Sequence, residues 1–273
     1  MTSVQAVLAA TREQGRAALI GYLPVGFPDV ATSVLAMQAM VRAGADIIEV
    51  GVPYTDPLMD GPVIQRAADA ALRAGARTDD VFTAVRAVAE AGASALVMTY
   101  WNLVDHRGVD RFAAELANAG GAGLITPDLI PDEADEWLAA AERHDLDRVF
   151  LLAPSSTDAR VRSTTQACRG FVYAASTMGV TGARDAVGSG AERLVERIRA
   201  VSDIPVCVGL GVSTGDQAAQ LAAFADGVIV GSALVRCLAD AADVRAGIAA
   251  VESLTSELAD GVRRAARTSG ATR

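Results

Sequence analysis

The 273-residue chain reads as a single-domain α/β protein, a (β/α)8 barrel of the TIM type. Three observations predict this. Eight short apolar runs alternate with stretches of helical periodicity. A phrase recurs where helix gives way to strand, as RAGADIIEV, EAGASALVM, NAGGAGLIT and AFADGVIVG, which is expected when one βα unit is used many times. Eight such units in roughly 250 residues is the size of a closed barrel. A doubly wound open sheet is the alternative. It calls for a dinucleotide glycine fingerprint after the first strand, and GYLPVGFPD lacks the GxGxxG spacing. No linker, low-complexity segment or second domain is visible.

The elements follow in order. Residues 1–16 have the pattern of a short amphipathic helix, and the first strand is expected at Ala18–Leu23. Gly26, Pro28 and Asp29 make a turn before a helix over Ala31–Ala43, which Gly44 can terminate. Strand two is Ile47–Val50, followed by helices over Val63–Ala74 and Thr78–Ala91, stopped by Gly75 and Gly92. Strand three is Ala95–Tyr100, then a loop 101–108, a helix 109–119 and strand four, Gly123–Thr126. Pro131 suits the first turn of a helix running to Arg143. Strand five is Arg148–Ala153, helix 157–168 follows, and strand six is Phe171–Ala175. The glycine-dotted loop 176–190 leads to helix 191–201, strand seven at Pro205–Leu210, helix 213–224 and strand eight at Gly227–Val230. The remainder is helical and ends in a polar tail.

Composition narrows the chemistry. A net charge of −9 argues against nucleic acid or an anionic membrane as partner. No apolar run is long enough for a membrane helix, and MTSVQAVLAATREQGR does not read as a signal peptide. Cys168, Cys207 and Cys237 are few and scattered, so a reduced, cytoplasmic protein is expected. All 24 basic residues are arginine, which excludes a lysine Schiff base and covalent pyridoxal phosphate. The only histidines, His106 and His144, rule out a His-rich metal site and read as surface residues. Proton transfer must then fall to carboxylates, tyrosines or cysteine, with neither cofactor nor metal expected.

The stretch Asp46–Gln65, DIIEVGVPYTDPLMDGPVIQ, is where such chemistry is expected. Alternation along the strand puts Ile47, Glu49 and Gly51 on one face and Ile48, Val50 and Val52 on the other. The second face is wholly aliphatic and suits packing under helices, so Glu49 points into the barrel. Loss of hydration there raises its pKa toward neutrality and favours a general acid or base. The structural alternative is a strand-end carboxylate paired with an arginine. The chain then enters a loop stiffened by Pro53, Pro57 and Pro62, which carries Asp56 and Asp60. Asp60 could instead serve a turn before Gly61, and Asp128 could brace a neighbouring loop. Tyr100 and Tyr173, near strand ends, could face the site or simply pack in the core.

Glycines form a second constellation. GVTG (Gly179–Gly182) follows strand six, GLG (Gly209–Gly211) ends strand seven, and Gly231–Ser232 opens a helix after strand eight. Barrels bind phosphate with the loops after strands seven and eight and a helix N-terminus, and glycine lets backbone N–H groups approach the oxygens. The loop Thr177–Gly190 is long for a βα connection; it reads either as a plain surface loop or, as the functional alternative, as a lid with Thr181 bonding Asp60.

DIIEVGVPYTDPLMDGP, with GVTGAR, VGLGV and GSALV downstream, resembles the tryptophan synthase alpha chain family from about Ala18 to Arg236. Its IGYLPxGxPD, MTYWN, LITPDLIPDEA and FVYAASTMGVTGARD phrases are similar to the actinobacterial branch. The resemblance implies a (β/α)8 lyase that cleaves indole-3-glycerol phosphate to indole and glyceraldehyde 3-phosphate. It also implies a pyridoxal-phosphate beta chain as partner in an α2β2 heterotetramer, to which indole passes. By motif it makes Glu49 the acid/base at indole C3 and the glycerol hydroxyl, and Asp60 the acceptor or stabiliser of the indole N–H proton. Tyr173 stands beside them, with Thr181 on the lid. Gly182, Gly211, Gly231 and Ser232 hold phosphate, and Tyr22, Met98, Tyr100, Ile125 and Leu151 line the indole pocket. Departures from the family pattern fall at Pro24–Val25, Thr55 and Met59 and spare the acid/base pair. Two other classes stand beside this reading: a phosphate-binding barrel of different chemistry, which typically relies on Lys or His, and a non-catalytic subunit that activates a partner.

Overall fold

The computed structural model describes residues 3–175, 187–209 and 211–265. Eight parallel strands close into a barrel in sequence order: β1 Ala18–Pro24, β2 Ile47–Gly51, β3 Ser94–Met98, β4 Gly123–Thr126, β5 Asp147–Leu152, β6 Val172–Ala175, β7 Val206–Gly209 and β8 Gly227–Val230. β8 returns to pair with β1, Ala18 opposite Gly227. The helices are α1 Val4–Glu13, α2 Val30–Arg42, α3 Pro62–Arg73, α4 Thr78–Glu90, α5 Trp101–Arg107, α6 Val109–Asn118, α7 Asp135–Arg143, α8 Asp158–Ala167, α9 Val187–Arg199, α10 Gly215–Ala222, α11 Ser232–Ala239 and α12 Val244–Arg264. None of the described helices is long and apolar enough to cross a membrane.

Strand alternation splits the core in two, as a barrel requires. Ile20, Ile47, Leu96, Ile125, Val149, Phe171 and Ile229 fill the interior. Ile48, Val50, Val97, Leu124, Phe150, Val208 and Val230 face the helices. The two faces read from Ile47–Val52 are therefore those observed. The repeated joint also has a physical basis. Gly44, Gly92 and Gly120 each follow a helix at positive φ, a conformation that costs a residue with a Cβ. At Gly44 a Cβ would also come within 2.8 Å of the Arg263 guanidinium.

Three expectations need correction. Strand three ends at Met98, not Tyr100, and residues 101–107 are helical. The reason is long-range: both oxygens of Asp128 accept from the Trp101 N–H, at 3.0 and 3.1 Å, and so cap a helix whose own sequence offers no cap. The helix expected from Pro131 is a single 3-10 turn, Pro131–Glu133, and α7 begins only at Asp135. Helix nine starts at Val187, earlier than expected.

The barrel floor is sealed by α1, whose Val4 and Leu8 join the interior cluster. Asp147, at the base of β5 and 1% exposed, accepts from the Val4 N–H at 3.0 Å and from Arg169 Nε at 2.9 Å. Nearby, Asp46 takes a two-pronged bond from Arg16, both distances 2.8 Å, and a third from the Leu19 N–H. Asp147→Ala strands both donors at the floor and is expected to lower unfolding free energy by about 2–4 kcal/mol. Urea denaturation of the two proteins checks this.

Candidate active site

The C-terminal ends of the strands carry the polar interior. Tyr22 on β1 lies opposite Glu49 on β2, and Glu49 lies opposite Leu96 on β3. One step further out, Gly51 faces Met98, and across the barrel Leu151 faces Tyr173. Met98, Ile125, Leu151 and Tyr173 all pack with the interior cluster, so the structure brings these sequence-chosen residues to one chamber. Tyr173 is the second residue of β6 rather than near its end.

The tyrosine rings occupy space that glycines leave open. A Cβ at Gly51 would lie 2.4 Å from the Tyr22 hydroxyl, and one at Gly209 would lie 2.5 Å from the Tyr173 hydroxyl. Gly231 lies against the Tyr22 ring from the other side, with a Cβ there reaching 3.3 Å. Burial pushes both phenols well above the usual range, with the nearby Asp60 and Glu49 carboxylates adding to it, so both keep their protons. Sequence reading missed Gly51 and Gly209 as places for the rings. Alternation offered a signal for Gly51, since it shares the inner face with Glu49, but the ring that fills the space cannot be named from spacing.

Glu49 is 1% exposed, and neither of its oxygens has a hydrogen-bond partner among the described residues. Among the described residues no arginine pairs with it, which counts against the ion-pair alternative. Loss of solvation alone raises its pKa to about 8. Asp60, half-buried in the loop after β2, is raised by burial to about 6, while a hydrogen bond from Tyr100 pulls it the other way. Tyr100 lies two residues past β3, with its hydroxyl accepting from the Met59 N–H at 2.9 Å. Tyr54, which sequence reading did not select, stacks on Tyr100 with ring centroids 5.0 Å apart. Gln65 Nε2 holds the Asp60 carbonyl at 2.9 Å. Asp128 does brace a neighbour, through Trp101.

Opposite, Gly211 sits at φ +65 after β7, and Gly231 precedes α11, whose first residue is Ser232. The first turn of α11 has no side-chain cap, so its N–H groups are available to an anion at the barrel mouth. Thr181, Gly182 and most of the loop 177–190 lie outside the described residues. His106 is exposed, and His144 is half-buried with Nε2 3.1 Å from Asp110, far in sequence from the site.

A (β/α)8 barrel with two buried carboxyls among tyrosines at its mouth, and an uncapped helix start nearby, suits acid–base chemistry on a small anionic substrate. The family model described as "Tryptophan synthase alpha chain" matches residues 8–263. The tryptophan synthase alpha chain of Mycobacterium avium is 62% identical over 263 residues, covering 96% of this chain and 95% of the relative. That of Thermobifida fusca is 59% identical, over 98% of this chain and all of the relative. Tryptophan synthase from Mycobacterium tuberculosis superposes with a TM-score of 0.89 at 61% identity, covering 96% of this chain and 99% of the other. The alpha subunit from Legionella pneumophila does so at 0.87 with 31% identity, over 96% and 98% of the two chains. The chain belongs to the tryptophan synthase alpha chain family, and the alternatives of a different barrel chemistry or a non-catalytic subunit fall away.

The Glu49 environment has a consequence for stability. Its folded pKa of about 8 exceeds the ordinary 4.5, so between those values the native state holds a proton that the unfolded state has released. Native stability from this group is greatest at low pH and falls as pH rises through that window, by up to about 5 kcal/mol at its upper end. Glu49→Gln is therefore expected to be more stable than the parent at pH 8, with the gap closing toward pH 4.5. Denaturation midpoints across pH, showing equal slopes for both proteins, would contradict it.

Proposed function

We propose that Glu49 and Asp60 are the acid/base pair with which this alpha chain cleaves indole-3-glycerol phosphate to indole and glyceraldehyde 3-phosphate. The observation that carries the assignment is the buried, unpartnered Glu49 carboxyl on the inner face of β2. Near pH 7 it holds a proton, while Asp60 is largely ionised. Glu49 gives its proton to indole C3 as Asp60 accepts the N–H proton, producing the indolenine. The Glu49 carboxylate then takes the proton of the adjacent glycerol hydroxyl. The carbon–carbon bond breaks, its electron pair enters the ring, and the ring nitrogen recovers its proton from Asp60. The indole ring is itself the electron sink, so neither a lysine nor a metal is called for. Tyr22, Met98, Tyr100, Ile125, Leu151 and Tyr173 enclose the ring in this reading.

The phosphate is placed at Gly211, Gly231 and Ser232, where the free N–H groups of α11 offset its charge. Thr181 and Gly182 complete the same reading from the loop after β6. A beta chain is the proposed partner in an α2β2 assembly, and the cytoplasm the proposed location. The exposed tip of the Asp60 loop, Leu58 at 85% and Met59 at 55%, supports a docking partner beside the site.

Two measurements test these assignments. Glu49→Gln should fold and lose on the order of 10²–10⁴ in kcat for indole release; turnover near that of the parent would remove Glu49 from the mechanism. Ser232→Asp places a negative charge where the helix start tolerates it but a phosphate does not. It should raise KM for indole-3-glycerol phosphate by about 10-fold or more with thermal stability unchanged. An unaltered KM would put the phosphate elsewhere.

A further inference from the structure

The Tyr100 hydroxyl is the point at which the loop after β2 is fastened to the barrel. The ring is 5% exposed and is held between its own strand end and Tyr54, whose plane lies at 26° to it. Behind it the backbone is fixed, because Asp128 grips the next N–H, that of Trp101. A phenol so immobilised can act as a fixed two-sided connector. Its oxygen accepts from the Met59 N–H at 2.9 Å, and the neighbouring Asp60 carboxylate lies within reach of its one proton. Among the described residues the loop has one other fastening, Gln65 Nε2 on the Asp60 carbonyl at 2.9 Å, while Leu58 and Met59 are exposed and Thr55 and Asp56 bond to each other.

We propose that Tyr100 is a positioning residue: its hydroxyl pins the loop backbone at Met59 and aims the Asp60 carboxylate at the substrate ring. This rests on the assignment of Asp60 as the group that handles the indole N–H proton. Its action is then exerted through Asp60, beyond any contribution of its ring to the pocket wall. A hydrogen bond donated to the ionised carboxylate favours that form and works against burial. The other titratable groups facing this corner are Tyr22 from β1, Glu49 from β2 and Tyr173 from β6, with Asp128 beside Tyr100 from the loop after β4. Among the described residues none of these supplies a positive charge, and Tyr100 is the neighbour that favours the ionised form of Asp60.

The test is a double-variant cycle on the full chain: Tyr100→Phe, Asp60→Asn and both together, with kcat and KM for indole-3-glycerol phosphate measured across pH. Tyr100→Phe is expected to lower kcat about 10- to 100-fold, the range for a lost hydrogen bond to a charged group, with little change in KM. The acid limb of its kcat/KM profile should move to higher pH. In the Asp60→Asn background the same change should cost little, and survival of the Asp60→Asn residual rate in the double variant serves as the folding control. Losses that multiply, or an acid limb that stays in place, would overturn the positioning role and leave Asp60 where it is. An Asp60→Asn protein with the parent's kcat would overturn the Asp60 assignment and this inference with it.

Discussion

A carboxyl group buried inside the barrel, with no hydrogen-bond partner among the described residues, sets the terms for everything around it. Strand alternation points Glu49 inward, the floor below is sealed, and no arginine among the described residues pairs with it. The same lack of water that costs stability gives the group a proton to donate near neutrality. Asp60 shows the moderated case. It is nearer the surface and is offered a phenolic hydrogen bond, so its pKa settles lower, at about 6. Two chemically similar groups thus end up in opposite protonation states over the same pH range, because their surroundings differ.

Space at the mouth is made by omission. Gly51 and Gly209 lack the side chains that would strike Tyr22 or Tyr173, and Gly231 leaves the Tyr22 ring close room. The rings can then lie across the strand ends. The close approach of backbone and ring is a packing requirement at these positions and does not depend on unusual dihedral angles.

Much of this was legible beforehand because it is local. Period-two alternation revealed the inward face of Glu49, and helix-stopping glycines revealed the repeat that builds the barrel. What escaped depends on contacts between distant parts of the chain. The helix at Trp101 is started by Asp128, 27 residues later, and the Met59 amide finds Tyr100, 41 residues away. No window of neighbouring residues contains either pairing. Tyr54 was passed over for the same reason, since its value lies in the ring on which it stacks. The glycine loop after β6, on which the expectation of a lid was based, lies outside the described residues.

The floor of the barrel carries an implication for synthesis on the ribosome. Helix α1 is made first, yet its first amide is anchored by Asp147, 143 residues downstream, beside Arg169. Its apolar face, with Val4 and Leu8, has no complete docking surface until strands five and six have emerged. Nor can β1 find its β8 neighbour before Gly227 appears. The earliest part of the nascent chain therefore waits for its partners while most of the protein is still being translated. During that interval solubility depends on its polar residues and on whatever chaperone shields it, not on the native fold.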